Sequence, residues 1–280
     1  MIRALRVEAP AKLNLDLRVV GRRDDGYHEL ESTLVLLELA DRLLLLPGAS
    51  GLRLEGADAH DVPLDEANLA WRGLVAGYEG APELACLALE KRIPVAAGLG
   101  GGSSDAAAAW RLGRAARGRE GAPGPAELAA LAQIGADVPF FAVGVAAARA
   151  SGIGDVVEAV APISAEVVLV HPPFGLRTAD VFAALRPDEW GSALNDLEGP
   201  ARRLRPELDE LVARVRAAGV EPRLTGSGPT IFILDDDPER ADALAATLAS
   251  DGLRVTRTRT RSAPAPIEPI DEATDDEEDR

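Results

Sequence analysis

A glycine-rich segment followed at once by an alanine-rich one constrains this chain more than any other feature of its sequence. Four glycines lie between residues 98 and 102, and glycine lets a backbone approach another group closely. Residues 105–117 are rich in alanine and arginine, which predicts a helix. Ser103, Ser104 and Asp105 are candidate N-caps of that helix. Because a helix N-terminus presents unpaired N–H groups and a positive dipole end, the segment predicts a phosphate-binding site.

Two common phosphate-binding motifs do not match this segment. It contains no Gly-Lys-Ser or Gly-Lys-Thr, which excludes a Walker A loop. Residues 98–103 lack the last glycine or alanine of the dinucleotide-binding pattern. From this segment alone, the alternative is a turn that only packs a helix onto a sheet.

The length and the charge of the chain limit what it can bind. It has 280 residues, enough for two domains, and a formal net charge of −16. An acidic surface repels nucleic acid phosphates, so we do not expect nucleic acid as a partner. An anionic small-molecule substrate needs a local positive site within this negative field, and a helix N-terminus supplies one without basic side chains.

The rest of the composition excludes several other classes of protein. The single cysteine, Cys86, excludes an internal disulfide framework, and the three histidines contain no HExxH pair of a zinc hydrolase. No apolar run reaches the length of about 18 residues that a spanning helix needs. Charged residues near the N-terminus do not fit a secretory signal. We therefore expect a cytoplasmic protein without a membrane partner, either a monomer or a homodimer.

Strands and helices mix along the chain, and several strands form hairpin-like pairs, which favours an α+β fold over a doubly wound parallel sheet. The predicted helices are 68–78, 105–117, 126–134, 178–186, 200–218 and 238–251. The predicted strands are 2–9, 12–20, two segments with a bend within 34–46, 84–93, a pair within 146–160, 167–171, 222–225, 230–234 and 253–261. Residues 135–141 are predicted as a loop, and residues 263–280, rich in proline and acid, as a disordered acidic tail.

Lysine is rare in this chain, since Lys12 and Lys91 are the only two among 30 basic residues. A lysine ammonium is a compact charge that fits small pockets. Alternation places Lys12, Asn14 and Asp16 on one face of a strand, and the plain interpretation is the polar face of a half-buried strand. Lys91 follows an alternating stretch and precedes an arginine, which indicates a solvated strand end.

The glycine-rich segment resembles the phosphate-binding motif of the GHMP small-molecule kinases. Four more stretches are similar to that family, namely Pro10-Ala-Lys-Leu-Asn-Leu, Asp25-Gly-Tyr-His-Glu-Leu, Gly135-Ala-Asp-Val-Pro-Phe-Phe and Leu224-Thr-Gly-Ser-Gly-Pro. The resemblance extends over roughly residues 8–235. The Gly-Tyr-His and Gly-Ala-Asp-Val-Pro stretches resemble the branch of the family that acts on a cytidine diphosphate-linked methylerythritol.

The resemblance implies a two-lobed α+β fold with the active site in the cleft between the lobes. Residues 1–150 would form the nucleotide-binding and catalytic lobe, and residues 151–262 the substrate lobe. The implied activity is phosphoryl transfer from ATP to the 2-hydroxyl of the linked methylerythritol, in non-mevalonate isoprenoid precursor biosynthesis. Mg²⁺ is expected because phosphoryl transfer from ATP normally uses it to neutralise phosphate oxygens.

By the same resemblance, Asp137 accepts the proton of the substrate hydroxyl, and Lys12 is its partner. An ammonium beside that carboxylate would stabilise charge on the hydroxyl oxygen and on the moving phosphoryl group. The alternative for Asp137 is a carboxylate that only caps a turn.

The resemblance also implies the binding residues. Those for ATP are Pro94, Val95, Ala96, Ala97, Gly98, Leu99, Gly100, Gly101, Gly102, Ser103, Ser104 and Asn68. Ser104 is also the candidate hydroxyl ligand of Mg²⁺, and Asn68 has a structural role as an equal alternative. Those for the second substrate are Asn14, Tyr27, His28, Phe182, Thr225 and Gly226.

The second-substrate residues have distinct implied roles. Tyr27, His28 and Phe182 would hold the cytosine, although core packing is the alternative for Phe182. Asn14 would bind the erythritol end or position Lys12. Residues 225–228 would form a glycine turn near the active site, with a tight strand connection as the alternative.

Three alternatives fit these residues less well. A purely structural domain is disfavoured by the glycine-rich segment. Another GHMP kinase, such as homoserine or mevalonate kinase, would lack a cytidine pocket, and Tyr27 and His28 argue against it. A non-catalytic sugar-nucleotide sensor on the same fold would be expected to lose Lys12 or Asp137, and both are present.

Overall fold

The computed structural model describes residues 3–48, 51–56, 59, 62–82, 84–119 and 121–270. Within these ranges the strands are β1 (Leu5–Asn14), β2 (Arg18–Arg22), β3 (His28–Pro47), β4 (Gly51–Glu55), β5 (Ala85–Glu90), β6 (Ala147–Ser151), β7 (Val156–Ala159), β8 (Glu166–His171), β9 (Arg223–Leu224), β10 (Ile231–Asp235), β11 (Arg254–Arg259) and β12 (Ile267–Pro269). The α-helices are α1 (Leu69–Tyr78), α2 (Gly101–Ala116), α3 (Pro125–Ala132), α4 (Val138–Ala142), α5 (Thr178–Ala184), α6 (Glu198–Leu204), α7 (Glu207–Ala217) and α8 (Pro238–Ser250).

The strands form two sheets, and the larger sheet is built around β3. Its strand order is β12-β1-β3-β5-β4, with β2 and β6 also pairing with β3, and β7 with β6. In this sheet β4 and β5 run parallel, whereas β1, β5 and β6 each pair with β3 antiparallel. The second sheet has the order β11-β8-β10-β9 with antiparallel pairs. The predicted α+β class is confirmed.

Helices α1 and α2 pack so closely that only small residues fit between them. A Cβ atom on Gly73 would lie 2.0 Å from the carbonyl oxygen of Ala106, and one on Gly77 would lie 2.1 Å from that of Trp110. The alanines of α2 that face this contact are buried. The alanine-rich composition therefore favours the helix and also lets α2 approach α1 and the sheet.

Several elements differ from their predicted form. The strands expected at 2–9 and 12–20 are β1, which runs without a break from Leu5 to Asn14, and β2, which begins at Arg18. The two strands expected within 34–46 are one continuous strand of 20 residues, β3, because the polar Asp41 that suggested a bend is buried and paired. The helix expected at 200–218 is divided into α6 and α7. Pro206 lies between them, and a proline disfavours the helical conformation in the residue before it. The loop expected at 135–141 contains most of the short helix α4.

The last part of the described chain returns to the larger sheet. β12 pairs antiparallel with β1, and Arg111 donates a hydrogen bond to the carbonyl oxygen of Ala265 at 2.8 Å. The disordered tail predicted for residues 263–280 is therefore wrong for residues 263–270. Pairing along the sheet edge satisfies its backbone groups, while Ala265 is buried and Ile267 packs against the core beneath the sheet. Residues 271–280 lie outside the described residues.

The lobe boundary predicted at residue 150 falls within the larger sheet. β7 follows that boundary in sequence and still pairs with β6, with Ala150 opposite Val157. The backbone N–H of Arg261 donates to the carbonyl oxygen of Leu36 at 2.9 Å, so the chain after β11 crosses back to β3. The second sheet is thus formed by strands within residues 166–259.

Lys91 is buried, so the interpretation as a solvated strand end is wrong. Its side chain is 3% exposed, and its ammonium donates hydrogen bonds to Asp41 and, at 2.7 Å, to Oδ2 of Asp105. Asp41 also accepts hydrogen bonds from the backbone N–H groups of Arg92 and Ile93. These contacts join β3, the loop after β5 and the first turns of α2, and so hold the glycine segment at both of its ends.

The two carboxylates around Lys91 are not equivalent. Burial raises the pKa of Asp105, Lys91 opposes that rise, and Asp41 adds to it. Burial alone would lower the pKa of Lys91, but Asp105 and Asp41 outweigh burial and raise it. Oδ1 of Asp105 has no hydrogen-bond partner in the described structure, whereas both oxygens of Asp41 accept hydrogen bonds. Asp41 is therefore the main counter-ion of the buried lysine.

We predict that Asp41→Asn destabilises the fold far more than Asp105→Asn. The first change removes the main counter-ion of Lys91, which should cost about 3–5 kcal/mol of unfolding free energy. The second keeps an oxygen for Lys91 and removes a costly buried charge, so it should change that free energy by less than about 1.5 kcal/mol. Urea denaturation followed by circular dichroism measures both variants, and equal losses would contradict this assignment.

Candidate active site

A cleft of about 670 Å³ opens beside the glycine segment, between strands of the larger sheet and residues of α5 and the turn after β9. The predicted site residues that line it are Lys12, Asn14, Asn68, Pro94, Val95, Ala96, Ala97, Gly98, Leu99, Gly100, Gly101, Gly102, Ser103, Asp137, Phe182 and Gly226. The predicted residues outside its lining are Tyr27, His28, Ser104 and Thr225. The two predicted catalytic residues and most of the predicted ATP-binding residues thus share one cavity.

Lys12 and Asp137 reach this cleft from two different elements. Lys12 lies on β1, where the pairing with β3 shifts register after Pro10, and its backbone N–H donates to the carbonyl oxygen of Leu99 at 2.9 Å. Asp137 is the residue that precedes α4. Nζ of Lys12 lies 3.7 Å from Oδ2 of Asp137, which is an ion pair without a direct hydrogen bond. The lysine side chain is 6% exposed and the aspartate 36%, so the carboxylate is the more open of the two.

Asn14 is the second polar contact of Lys12. Nζ of Lys12 donates to Oδ1 of Asn14 at 2.5 Å, and Nδ2 of Asn14 donates to Oγ of Ser32 at 2.7 Å. The backbone N–H of Asn14 donates to Oγ1 of Thr225 at 3.0 Å, so Thr225 joins β1 to the turn after β9 from behind the cleft. Because both ends of its amide have partners within the protein, the geometry favours the positioning role of Asn14.

The glycine segment contacts the turn after β9 backbone to backbone. Gly98 has φ of 78°, and a Cβ atom there would lie 2.7 Å from the carbonyl oxygen of Gly228 and 2.8 Å from that of Thr225. The backbone N–H of Thr230 donates to the carbonyl oxygen of Ala97 at 3.3 Å. Only glycine permits this backbone conformation and this approach without strain.

Helix α2 begins at Gly101, four residues before its predicted start. Gly100 is its N-cap, with φ of 72°, and the residues predicted as N-caps at 103–105 lie inside the first turns instead. The first N–H groups of a helix have no partner within the helix, and Gly101, Gly102 and Ser103 line the cleft. This N-terminus is therefore suited to bind phosphate.

The structure does not support Ser104 as a metal ligand. Its Oγ is buried, has no hydrogen-bond partner in the described structure and does not line the cleft, whereas Ser103 does line it. Among the residues that the structure describes, no group of three or more histidine, cysteine, aspartate or glutamate side chains could hold a metal ion. The site fits a Mg²⁺ ion that is bound mainly by nucleotide phosphates and water, as Mg²⁺ commonly is.

Asn68 lines the cleft but uses its amide for the fold. Its Oδ1 accepts hydrogen bonds from the backbone N–H groups of Ala70 and Trp71, and its Nδ2 donates to the carbonyl oxygen of Pro63 at 2.7 Å. It is therefore the N-cap of α1. The structure favours the structural alternative for this residue.

His28, at the start of β3, packs against two aromatic rings from the segment between β8 and α6. Its ring centroid lies 5.4 Å from that of Phe182, stacked at 22°, and 5.8 Å from that of Trp190, edge-on at 88°. Burial, helped by the charge of Arg22, lowers the pKa of His28 below its ordinary value of 6.5. The imidazole is therefore neutral near pH 7, with one donor and one acceptor nitrogen.

Phe182 links this aromatic cluster to the cleft, because it lines the cavity and also stacks on His28. Tyr27 precedes His28 but is 61% exposed. Its backbone N–H donates to Oδ1 of Asp25 at 3.2 Å, within an exposed turn. The structure thus joins His28 and Phe182, while Tyr27 lies at the outer side of the cluster.

Sequence reasoning misses several residues of this site. Ser32 gives no signal because its partner, Asn14, is remote in sequence and serine is unremarkable in a strand. Trp190 lies in a short polar stretch after α5 that matches no motif. Lys91 lines the cleft together with Asp105. The rarity of lysine is a signal for Lys91, but its neighbours in sequence point to solvent.

Comparison with known proteins agrees with this arrangement. Residues 68–145 match the family model described as GHMP kinases N terminal domain, and residues 180–253 match that described as GHMP kinases C terminal. A crystal structure of homoserine kinase from Cytophaga hutchinsonii matches with a TM-score of 0.66 over 96% of this chain and 98% of that one. Its sequence identity of 17% shows the fold alone. The fold and the cleft are those of a GHMP kinase.

More similar relatives narrow the family. A protein of Thermus thermophilus named 4-diphosphocytidyl-2-C-methyl-D-erythritol kinase is 40% identical over 266 residues, 87% of this chain and 92% of its own. A protein of Dinoroseobacter shibae with the same name is 41% identical over 268 residues, 86% of this chain and 89% of its own. A crystal structure of 4-(cytidine 5'-diphospho)-2C-methyl-D-erythritol kinase matches with a TM-score of 0.74 at 36% identity, over 91% of this chain and 98% of that one.

The chain therefore belongs to the GHMP kinase family and, within it, to the 4-diphosphocytidyl-2-C-methyl-D-erythritol kinases. The two-lobed α+β fold and the family expected from the sequence are both confirmed.

We predict that Gly98→Ala destabilises the protein and that Gly102→Ala does not. At Gly98 the new methyl group would meet two carbonyl oxygens in a left-handed backbone conformation, which should cost about 1–3 kcal/mol. At Gly102 it would meet only a methyl group of Leu69, at 3.3 Å, within a helix. Alanine favours a helix there, so the unfolding free energy should stay within about 1 kcal/mol of the original. Denaturant unfolding of both variants measures this, and an unaffected Gly98→Ala protein would contradict the close backbone contact.

Proposed function

We propose that this chain transfers the γ-phosphoryl group of ATP to the 2-hydroxyl of 4-diphosphocytidyl-2-C-methyl-D-erythritol, in non-mevalonate isoprenoid precursor biosynthesis. The relatives that bear the name of this kinase support the choice of substrate. The observation that supports the chemistry most is the convergence of Lys12 and Asp137, 3.7 Å apart, in the cleft that the glycine segment lines.

In this proposal the acceptor hydroxyl lies between Lys12 and Asp137. Its oxygen bonds to the γ-phosphorus, Asp137 accepts the hydroxyl proton, and ADP leaves with the electron pair of the broken P–O bond. The ammonium of Lys12 stabilises negative charge on the hydroxyl oxygen and on the phosphoryl group in transfer. Asn14 occupies one of the three N–H groups of Lys12, which leaves two for this purpose.

The triphosphate of ATP lies along the glycine segment and the N-terminus of α2. In a chain with a net charge of −16, backbone N–H groups and the helix dipole supply positive potential there, beside Lys12 and Lys91, which line the same cleft. Bound Mg²⁺ would neutralise charge on the phosphate oxygens. Of the two serines in the segment, Ser103 lines the cleft and Ser104 does not. Ser103 therefore replaces Ser104 as the candidate hydroxyl contact of the triphosphate and its Mg²⁺.

The cytosine of the second substrate is held beside Phe182 and His28. Phe182 offers a ring face that lines the cleft, and neutral His28 offers one donor and one acceptor to the edge of the base. Trp190 supports the imidazole edge-on from the other side. Tyr27, on the exposed turn next to His28, would close over the base. Homoserine and mevalonate have no base that would use these groups.

The partners of this enzyme are small molecules. No helix within the described ranges has both the length and the apolar character needed to cross a membrane. The net charge of −16 disfavours nucleic acid as a ligand. We propose a cytoplasmic enzyme that acts as a monomer or a homodimer.

The test is a coupled ADP-release assay with three acceptors. Turnover with 4-diphosphocytidyl-2-C-methyl-D-erythritol should exceed that with homoserine or mevalonate by at least about 1,000-fold in kcat/KM, because only the first fills the aromatic site. ADP release only with homoserine or mevalonate would contradict the proposed substrate, while the assignment of kinase activity would stand.

In the same assay, Lys12→Ala and Asp137→Asn should each lower kcat by about 100-fold or more, because one removes charge stabilisation and the other the proton acceptor. The control is Asp180→Asn on α5, which changes an aspartate that is 54% exposed and should keep kcat. Near-normal turnover of either site variant would remove that residue from the mechanism.

The neutral state of His28 predicts a pH dependence of substrate binding. Because its pKa is lowered, the imidazole stays neutral at pH 7 and takes up a proton only below its ordinary value of 6.5. Protonation removes the acceptor nitrogen, so the KM for the cytidine substrate should rise severalfold as the pH falls through that range. His28→Gln should have a higher KM with this pH dependence removed. The same pH dependence in wild type and variant would contradict the role of His28.

A further inference from the structure

A line of hydrogen bonds connects a backbone carbonyl to the ammonium of Lys12. Oγ of Ser32 donates to the carbonyl oxygen of Asp16 at 2.6 Å, and Nδ2 of Asn14 donates to Oγ of Ser32 at 2.7 Å. Nζ of Lys12 then donates to Oδ1 of Asn14 at 2.5 Å. Ser32 and Asn14 are both buried, at 2% and 6% exposure, so water does not readily replace these partners.

The direction of every bond in this line follows from its first member. A carbonyl oxygen only accepts, so the single hydroxyl proton of Ser32 is used for Asp16. The oxygen of Ser32 is then left to accept, and only the NH₂ end of the Asn14 amide can donate to it. The oxygen end of that amide therefore faces Lys12, where an NH₂ group would repel the ammonium.

The side chain of Asp16 and the backbone of Asn14 are held independently of the Ser32 hydroxyl. Oδ1 of Asp16 accepts from the backbone N–H of Thr33 at 2.6 Å, and Oδ2 accepts from the hydroxyl of Thr33 at 3.0 Å. The backbone of Asn14 is held by Thr225. The orientation of the Asn14 amide is thus the one element of the line that depends on the Ser32 hydroxyl.

We propose that Ser32 is a positioning residue for catalysis, which acts by fixing the Asn14 amide so that its oxygen holds the ammonium of Lys12. With one N–H group held in this way, the other two point toward Asp137 and the reacting oxygen. Without the hydroxyl, the NH₂ end of the amide loses its acceptor, so the amide is less firmly held and Lys12 loses its alignment while remaining in the cleft. A small misalignment of a catalytic group lowers the rate more than it lowers substrate binding.

The proposal rests on the proposed function for the role of Lys12, and a double-mutant cycle tests it. The variants are Ser32→Ala, Ser32→Thr, Asn14→Ala and the double variant Ser32→Ala with Asn14→Ala. Ser32→Ala should lower kcat by about 10–100-fold and keep the KM of both substrates within about threefold. Ser32→Thr, which keeps the hydroxyl, should recover kcat to within about threefold. In the Asn14→Ala protein, adding Ser32→Ala should change kcat by less than about twofold, because the residue that it orients is gone.

Two results would overturn the proposal. One is an unchanged kcat in Ser32→Ala. The other is an equal loss of kcat from Ser32→Ala in the original and the Asn14→Ala proteins, which would indicate an effect that does not pass through Asn14. If Ser32→Ala does not fold, Ser32→Cys replaces it in the cycle, since a thiol keeps the volume and weakens the hydrogen bonds.

Failure of the proposed function has a different signature. It would appear in the wild-type protein as phosphorylation of another alcohol. The cycle is then run with that alcohol, and the same two results decide the role of Ser32.

Discussion

The contact between two backbones, that of the glycine segment at Gly98 and that of the turn at residues 225–228, is the constraint on which the site depends. A side chain at Gly98 would overlap two carbonyl oxygens of that turn. Next to this contact, the carbonyl oxygen of Leu99 accepts a hydrogen bond from the backbone N–H of Lys12. Likewise, Oγ1 of Thr225 accepts one from the backbone N–H of Asn14. The position of Lys12 is therefore set by the same packing that shapes the glycine segment.

Around the glycine segment of this acidic protein, positive charge is placed by paired lysines and by backbone N–H groups. The two lysines occupy opposite sides of the glycine segment, Lys91 with Asp41 and Asp105, and Lys12 with Asn14 and Asp137. Lys91 is enclosed by its carboxylates and stabilises the loop. Lys12 is held by a neutral amide, so its charge remains available to a negatively charged transition state. The same residue type thus has a structural role on one side and the proposed catalytic role on the other.

Sequence reasoning reaches the parts of this site that depend on local chemistry. The glycine segment follows from the needs of phosphate binding, whereas Lys12 and Asp137 are implied by the resemblance to the GHMP kinases, and all of them line one cleft. The helix start was displaced because Gly100, in a left-handed conformation, caps α2 in place of a serine. Sequence cannot show whether Asp41 is buried, because that depends on Lys91 arriving from another strand.

The residues that sequence reasoning missed act through partners remote in the chain. Ser32 contacts Asn14, and Trp190 contacts His28, and the two residues of each pair are far apart in sequence. β12 forms because the edge of β1 is available for pairing, and the sequence of residues 263–270 does not show that this edge is nearby. In each case the deciding neighbour is set by the tertiary fold.

The most direct measurement is a crystal structure of the protein with 4-diphosphocytidyl-2-C-methyl-D-erythritol and a non-hydrolysable ATP analogue. The account predicts the 2-hydroxyl oxygen within about 3.2 Å of both Oδ2 of Asp137 and Nζ of Lys12, with the γ-phosphate against the glycine segment. A 2-hydroxyl beyond hydrogen-bond reach of Asp137, with the triphosphate bound away from residues 98–103, would contradict it.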